Sequence, residues 1–326
     1  MAKATVRTVL AALAIGLSSM AASADESFWM GVNVKESSDA QWGSDAAQES
    51  MNRLAAAGAT KAMLVAFTWQ ADPGSTNPVI GGDSSPDHVR QGLRQMKEAG
   101  LKAVLKVHLW IPDHWAGDAE PQDRQAWFQA YQEAVLEYAT LAAEEDLPAL
   151  VIGTELRGLE GAAYWPALVA AVRRVYDGKV LYVANSLERA ERFRYWSLFD
   201  AVASSLYPSL SDDPEERTAQ MQDAAQRLAA LGERNRRPVW VAELGARSAE
   251  GSLTAPWESP EQRDLPVDLT IQNEILQGWL GALRQTGIEG ISIWCWYTDP
   301  DAGGEQDTDF TIQNKPAESV LRQNGN

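Results

Sequence analysis

One cysteine and three histidines are all that the chain holds of the side chains that form disulfides or favour transition metals. Cys295 alone excludes an intrachain disulfide, and it lies too far from the amino terminus to be an amino-terminal lipid attachment point. His88, His108 and His114 occur without an HExxH motif or a Cys/His cluster, so no zinc or other metal site is expected. Long apolar runs are also missing: no segment reaches the roughly 20 apolar residues a membrane-spanning helix requires, so no membrane anchor is expected. Basic residues are in deficit, 28 Lys+Arg against 45 Asp+Glu, for a formal charge of −17. That balance repels phosphate backbones and argues against nucleic acid as a partner, while neutral polymers remain compatible.

What is present begins with a leader-like stretch. Lys3 and Arg7 precede the apolar run VLAALAIGL, and Ala22-Ser23-Ala24 offers small residues for cleavage after Ala24. Residues 1–24 therefore read as a secretory signal and 25–326 as the working domain. Removing Lys3 and Arg7 takes the charge from −17 to −19. Export without disulfides suits a bacterial periplasm, and a periplasmic or secreted location is expected. Thirteen tryptophans stand out in this composition. Their faces can stack on sugar rings and their N–H groups can reach hydroxyls, although most tryptophans in any fold serve the core.

Eight apolar, β-branched segments alternate with helical patterns: FWMGVNV from Phe28, KAMLVAFTW from Lys61, LKAVLKVHLW from Leu101, PALVIGTE from Pro148, GKVLYVAN from Gly178, LFDAVASSLYP from Leu198, PVWVAELG from Pro238 and GISIWCWY from Gly290. Helical stripes lie between most of them: Met51, Leu54 and Ala55 before Gly58; Val89, Leu93 and Met96 before Gly100; Trp127 through Leu141; Leu168, Val172 and Tyr176; Met221, Leu228 and Leu231; Ile275, Trp279 and Leu283. Strands separated by helices run parallel, and eight βα units close into a barrel. The expected fold is α/β, a single (β/α)8 TIM barrel.

Two of these strands end in a glutamate, VIGTEL at Glu155 and VWVAELG at Glu243. The carboxyl ends of barrel strands are where such folds keep their chemistry, and a carboxylate closing a buried strand needs a reason. Glycosidic bond cleavage supplies one, with one carboxyl protonating the leaving oxygen and the other attacking the anomeric carbon from roughly 5 to 5.5 Å away. The plainer alternative is that Glu155 pairs with Arg157 and Glu243 with Arg247 as structural ion pairs. Tyr207 ends the sixth strand as a candidate hydrogen-bond donor to Glu243. Lys106, His108 and Trp110 alternate on the third strand and so share a face expected to turn to the mouth, where Lys106 and His108 are candidate sugar contacts, with His108 the preferred sugar-binding histidine. Trp69, at the end of the second strand, and Asn185, at the end of the fifth, are further candidates for the glycan cleft. On the eighth strand alternation places Trp294 and Trp296 on one side.

The ordered set LKVHLW, VIGTELRG, VLYVAN, SSLYP, VAELG with a downstream APW, and NKPAESVL resembles glycoside hydrolase family 113, a group of retaining β-mannanases in clan A. The resemblance runs from about Trp29 to Leu321. It implies a cofactor-free barrel with Glu155 as acid/base and Glu243 as nucleophile, and a strand-end tryptophan beneath the reacting sugar, for which Trp296, nearer the mouth, is preferred. Much of the clan has asparagine before the acid/base, where this chain has Thr154, a form compatible with mannosides. The implied activity is endo-type cleavage of β-linked mannan or a mannose-containing polysaccharide, the partner being an oligo- or polysaccharide. Other readings are a β-glycosidase acting on a glucan or biofilm exopolysaccharide, and a catalytically silent carbohydrate-binding barrel. The acidic stretch from Thr298 to Asp309 lacks EF-hand spacing and reads as a solvated loop rather than a calcium site.

Overall fold

The computed structural model describes residues 28–324. The expected leader, residues 1–24, lies outside them. Along the chain the elements are β1 (Trp29–Lys35), α1 (Asp45–Ala57), β2 (Lys61–Trp69), β3 (Val79–Ile80), α2 (Pro86–Glu98), β4 (Lys102–Trp110), α3 (Arg124–Glu144), β5 (Ala149–Thr154), α4 (Trp165–Val172), β6 (Lys179–Ala184), α5 (Leu187–Arg192), β7 (Val202–Leu206), α6 (Pro214–Asn235), β8 (Val239–Leu244), α7 (Leu269–Arg284) and β9 (Gly290–Tyr297). Eight strands pair in parallel, and β1 closes the ring by pairing with both β9 and β2. Only β3 is antiparallel, laid on the end of β2 outside the ring. The ring is a (β/α)8 barrel whose staves are the eight apolar segments read from the sequence.

Local chemistry starts and stops the helices. Ser44, Asp123, Asp213 and Asp268 each accept a backbone N–H at the first turn of α1, α3, α6 and α7. Gly58 ends α1 at φ 111°, and a side chain there would lie 2.4 Å from the Leu321 carbonyl. The stripe expected to reach Tyr176 stops earlier, since α4 ends at Val172 and the Tyr176 hydroxyl donates to the Leu147 carbonyl (2.8 Å). The short α5, mostly charged and capped by Ser186, carries too few apolar residues to form a readable stripe.

Two apolar layers result. The outer one joins strand backs to helices, and the inner one fills the barrel with Met63, Val104, Val151, Leu181 and Ala203, among others. Trp29 and Trp240 close the floor edge to face (ring centroids 4.8 Å apart), with the Lys61 amine 4.1 Å from the Trp29 ring centroid and 4.8 Å from that of Trp240. Gly290 makes room, as a β-carbon there would fall 2.3 Å from the Trp29 indole. Register slips mark the upper barrel: β5 gains a residue against β6 between Val151 and Thr154, and β8 gains one against β7 between Val241 and Glu243. On β9 another slip sets Asn33 opposite Trp294 and Val34 opposite Trp296.

Removing the floor indole leaves a cavity in the inner layer. Trp240→Ala should lower unfolding free energy by about 3–5 kcal/mol with the fold retained, read as a fall in the denaturant midpoint at constant slope.

Candidate active site

The mouth at the carboxyl ends of the strands is built around a buried cation. Lys106 is wholly enclosed, a position an ammonium tolerates only when paired. Its Nζ donates to Glu243 Oε1 and to Asn33 Oδ1 (2.9 Å). Asn33, also fully buried, is held by its Nδ2, which donates to the Ala242 carbonyl (3.0 Å) and to Ser292 Oγ (3.1 Å). The second Glu243 oxygen, Oε2, accepts from the Tyr207 hydroxyl (3.2 Å). Both oxygens of this carboxyl group thus face donors, an amine on one side and a hydroxyl on the other. Burial pulls the Lys106 amine below its ordinary range, opposed by the charge of Glu243.

Strict alternation along β8 would turn Glu243 away from this mouth, since Trp240 and Ala242 are the inward residues. The extra residue in β8 brings Glu243 opposite Ser205 of β7 and so into the barrel. A different device serves Glu155. It follows β5 directly in the left-handed region at φ 56°, its N–H donating to the Val183 carbonyl (2.8 Å). Its Oε2 accepts one bond, from Trp115 Nε1 (2.8 Å). Ser205 faces the same carboxyl without a well-aligned hydrogen bond. Burial first, and the negative charge of Glu243 second, push the Glu155 carboxyl up to about 7, against the pull of Ser205, Trp115 and Lys106.

Neither plainer ion pair forms. Arg157 pairs with Asp118 (2.9 Å) and lies 4.8 Å from the Trp115 ring centroid, backing the donor to Glu155. Arg247 donates to the carbonyls of Arg263 (2.9 Å) and Thr308 (3.0 Å). The half-buried His108 lies inward above Lys106, with its ring centroid 5.7 Å from Phe67 and 6.4 Å from Trp294, and burial keeps its imidazole below the usual range and neutral. Asn185 follows β6 in phase with the inward Leu181 and Val183, at the rim. Trp69 lies farther out, 40% exposed.

Trp296 is elsewhere. It is buried on the outer face of the barrel, its indole donating to Ser50 Oγ of α1 (2.8 Å). The slip in β9 puts Trp294 and Trp296 on opposite faces, so the shared side expected from alternation is corrected, and Trp294 is the inward indole, its ring centroid 5.5 Å from Lys106 Nζ. Asn33, Trp115, Ser205 and Trp294 complete the site. Asn33 was signalled by an amide inside an apolar strand; Trp115, on a loop, had no comparable signal. The acidic stretch is tied down: Lys315 Nζ donates to Asp307 Oδ1 (2.6 Å), and the Tyr297 hydroxyl to Asp309 Oδ2 (2.7 Å). Among the described residues no group of three or more His, Cys, Asp or Glu side chains is placed to hold a metal ion.

A parallel barrel that turns two glutamates from different strands into one mouth, one held by an amine and a hydroxyl and the other raised by burial, has the architecture of a glycoside hydrolase. Comparison with known proteins agrees. The model of Glycoside Hydrolase Family 113 matches residues 33–315, and the chain belongs to that family. Among solved structures, the GH113 β-mannanase of Alicyclobacillus acidocaldarius in complex with ManMIm is 25% identical, with a TM-score of 0.80 over 92% of this chain and 98% of that one. A GH113 β-1,4-mannanase is 21% identical with the same TM-score of 0.80, covering 91% of this chain and 98% of its own. GH5_18 from Streptomyces cattleya in complex with GlcNAc shares the fold at 15% identity and a TM-score of 0.63, covering 91% and 79% of the two chains. No curated protein matches the chain.

The Trp115 bond favours ionised Glu155, so removing it should raise the carboxyl further. Trp115→Phe is expected to move the Glu155 titration midpoint upward by several tenths of a pH unit to about one unit, followed by carboxyl-carbon NMR.

Proposed function

We propose that the chain is a retaining, endo-acting hydrolase that cleaves within β-linked mannan or a mannose-containing polysaccharide, with Glu243 as nucleophile and Glu155 as acid/base. The observation that carries the roles is the unequal supply of donors. Glu243 meets Lys106 on one oxygen and Tyr207 on the other, as an attacking carboxylate needs, whereas Glu155 receives one indole N–H and no cation. Retention is supported by family membership, and the two carboxyls share one mouth, the charge of Glu243 acting on Glu155. Mannan as substrate is supported by family membership and by the GH113 mannanase at 25% identity.

In this scheme Glu155 donates its proton to the glycosidic oxygen as Glu243 attacks the anomeric carbon and the C–O bond breaks. Tyr207 releases its hydrogen bond as the carboxylate becomes an ester. Glu155, now ionised, takes a proton from water, which attacks the same carbon and returns Glu243 to its starting form. His108, Asn185 and Trp294 line the space for the reacting sugar. We also propose action outside the cytoplasm, on the leader-like residues 1–24; mass analysis of the mature amino terminus, expected to begin at Asp25, tests this.

Digestion of manno-oligosaccharides, with NMR of the first-formed anomer, should give a β product; an α product would overturn retention. Glu243→Gln should lose turnover by three or more orders of magnitude on every substrate. Glu155→Ala should lose about 100- to 10,000-fold on mannan yet keep the first step on aryl mannosides whose leaving groups need no proton. Since the acid must be protonated, kcat/KM for the wild type should fall as pH rises through about 7, and that basic limb should vanish in Glu155→Ala.

A further inference from the structure

Beyond the catalytic mouth, a groove of about 590 Å³ opens where β2, β3 and β4 end. Its wall is a register row. Trp110 pairs with Trp69 across β4 and β2, and Trp69 with Val79 across β2 and β3, so three apolar side chains stand abreast on one face. They are 54%, 40% and 41% exposed, an apolar surface made contiguous by the strand register. Phe67 props Trp110 edge to face (centroids 5.8 Å apart), and Asp83 and the Gly81–Gly82 backbone add polar groups at the rim.

The row continues the catalytic floor. Lys106, which holds Glu243, and then His108 and Trp110 occupy successive inward positions of β4, each paired with β2 at Val65, Phe67 and Trp69. From Lys106 to Trp110 is four residues, roughly 13 Å of strand, farther than one hexose ring reaches. Aromatic ring neighbours join the two ends, from Trp294 to His108 (6.4 Å), to Phe67 (5.7 Å), to Trp110 (5.8 Å).

We propose that the Trp69–Trp110 shelf, walled by Val79 and Ile80, is a distal subsite that stacks a hexose unit of the same β-linked chain, at least one ring removed from the bond being cut. This rests on the reading of Glu155 and Glu243 as the catalytic pair. The occupant follows from continuity. A flat apolar face beside a carboxylate and exposed backbone suits a pyranose, whose C–H face is apolar and whose edge carries hydroxyls. The two-residue β3 raises the wall, because without it Trp69 would form the edge. Binding energy gathered there is available only to substrates long enough to reach it, so chain length becomes the quantity the enzyme discriminates.

The test compares Trp110→Ala and Trp110→Phe with the wild type on mannotriose and mannohexaose, together with calorimetric binding of mannohexaose. The ratio of kcat/KM for the hexaose to that for the triose should fall roughly three- to ten-fold in Trp110→Ala and recover in Trp110→Phe. Hexaose affinity should weaken by a similar factor. Equal losses on both lengths, or no change in either readout, would overturn the subsite. If the wild type cleaves neither sugar, the catalytic reading fails by itself. Binding then still decides the shelf, which stands if Trp110→Ala weakens hexaose binding and falls if the wild type binds none.

Discussion

The site depends on one buried ion pair. Lys106 is fully enclosed in the barrel, and a lone ammonium there would cost several kcal/mol; only the Glu243 carboxylate and the Asn33 amide make the position tolerable. Dependence runs both ways. Held by the amine and the Tyr207 hydroxyl, Glu243 has little freedom to turn, and its charge in turn helps keep the neighbouring Glu155 protonated. Asn33 anchors the pair to β8 and β9 through the Ala242 carbonyl and Ser292, so the polar centre is tied to the ring. The floor completes the arrangement, because Trp29 and Trp240 pack edge to face at the far end of the barrel from the polar mouth.

Fold class was legible because periodicity reports burial, and each strand of the ring is an apolar run between helical stripes. The two glutamates were legible as strand-end charges. Their aim was not, since alternation assumes a regular ladder and the ladder slips beside each of them. Glu243 is out of phase with Trp240 and Ala242 and enters the mouth only through an added residue in β8. The same assumption misplaced Trp296, which packs on α1 beyond the slip in β9. Bulges concentrate near active sites in barrels because they redirect a side chain without lengthening a loop. Their positions depend on pairing between strands distant in sequence, which a single strand's pattern does not carry.

Tryptophans divide along similar lines. Trp127, Trp165, Trp196 and Trp279 are core, as composition alone would favour. The informative ones are identified by neighbours rather than by type: Trp115 by its bond to Glu155, Trp294 by its place near Lys106, and Trp69 and Trp110 by standing abreast in solvent. Trp115 reaches the site on the loop after β4, and loops position side chains through tertiary contacts that leave no periodic trace.

At Glu155 the backbone and the chemistry have opposing interests. A φ of 56° is a conformation that glycine adopts freely and an L-residue holds at a cost of about 1 kcal/mol or more. Glycine there would relax the chain and remove the carboxyl proposed as the proton donor in one substitution. Selection for thermal robustness alone would therefore favour losing this carboxyl, so on the proposed role the glutamate is a position where turnover outweighs stability.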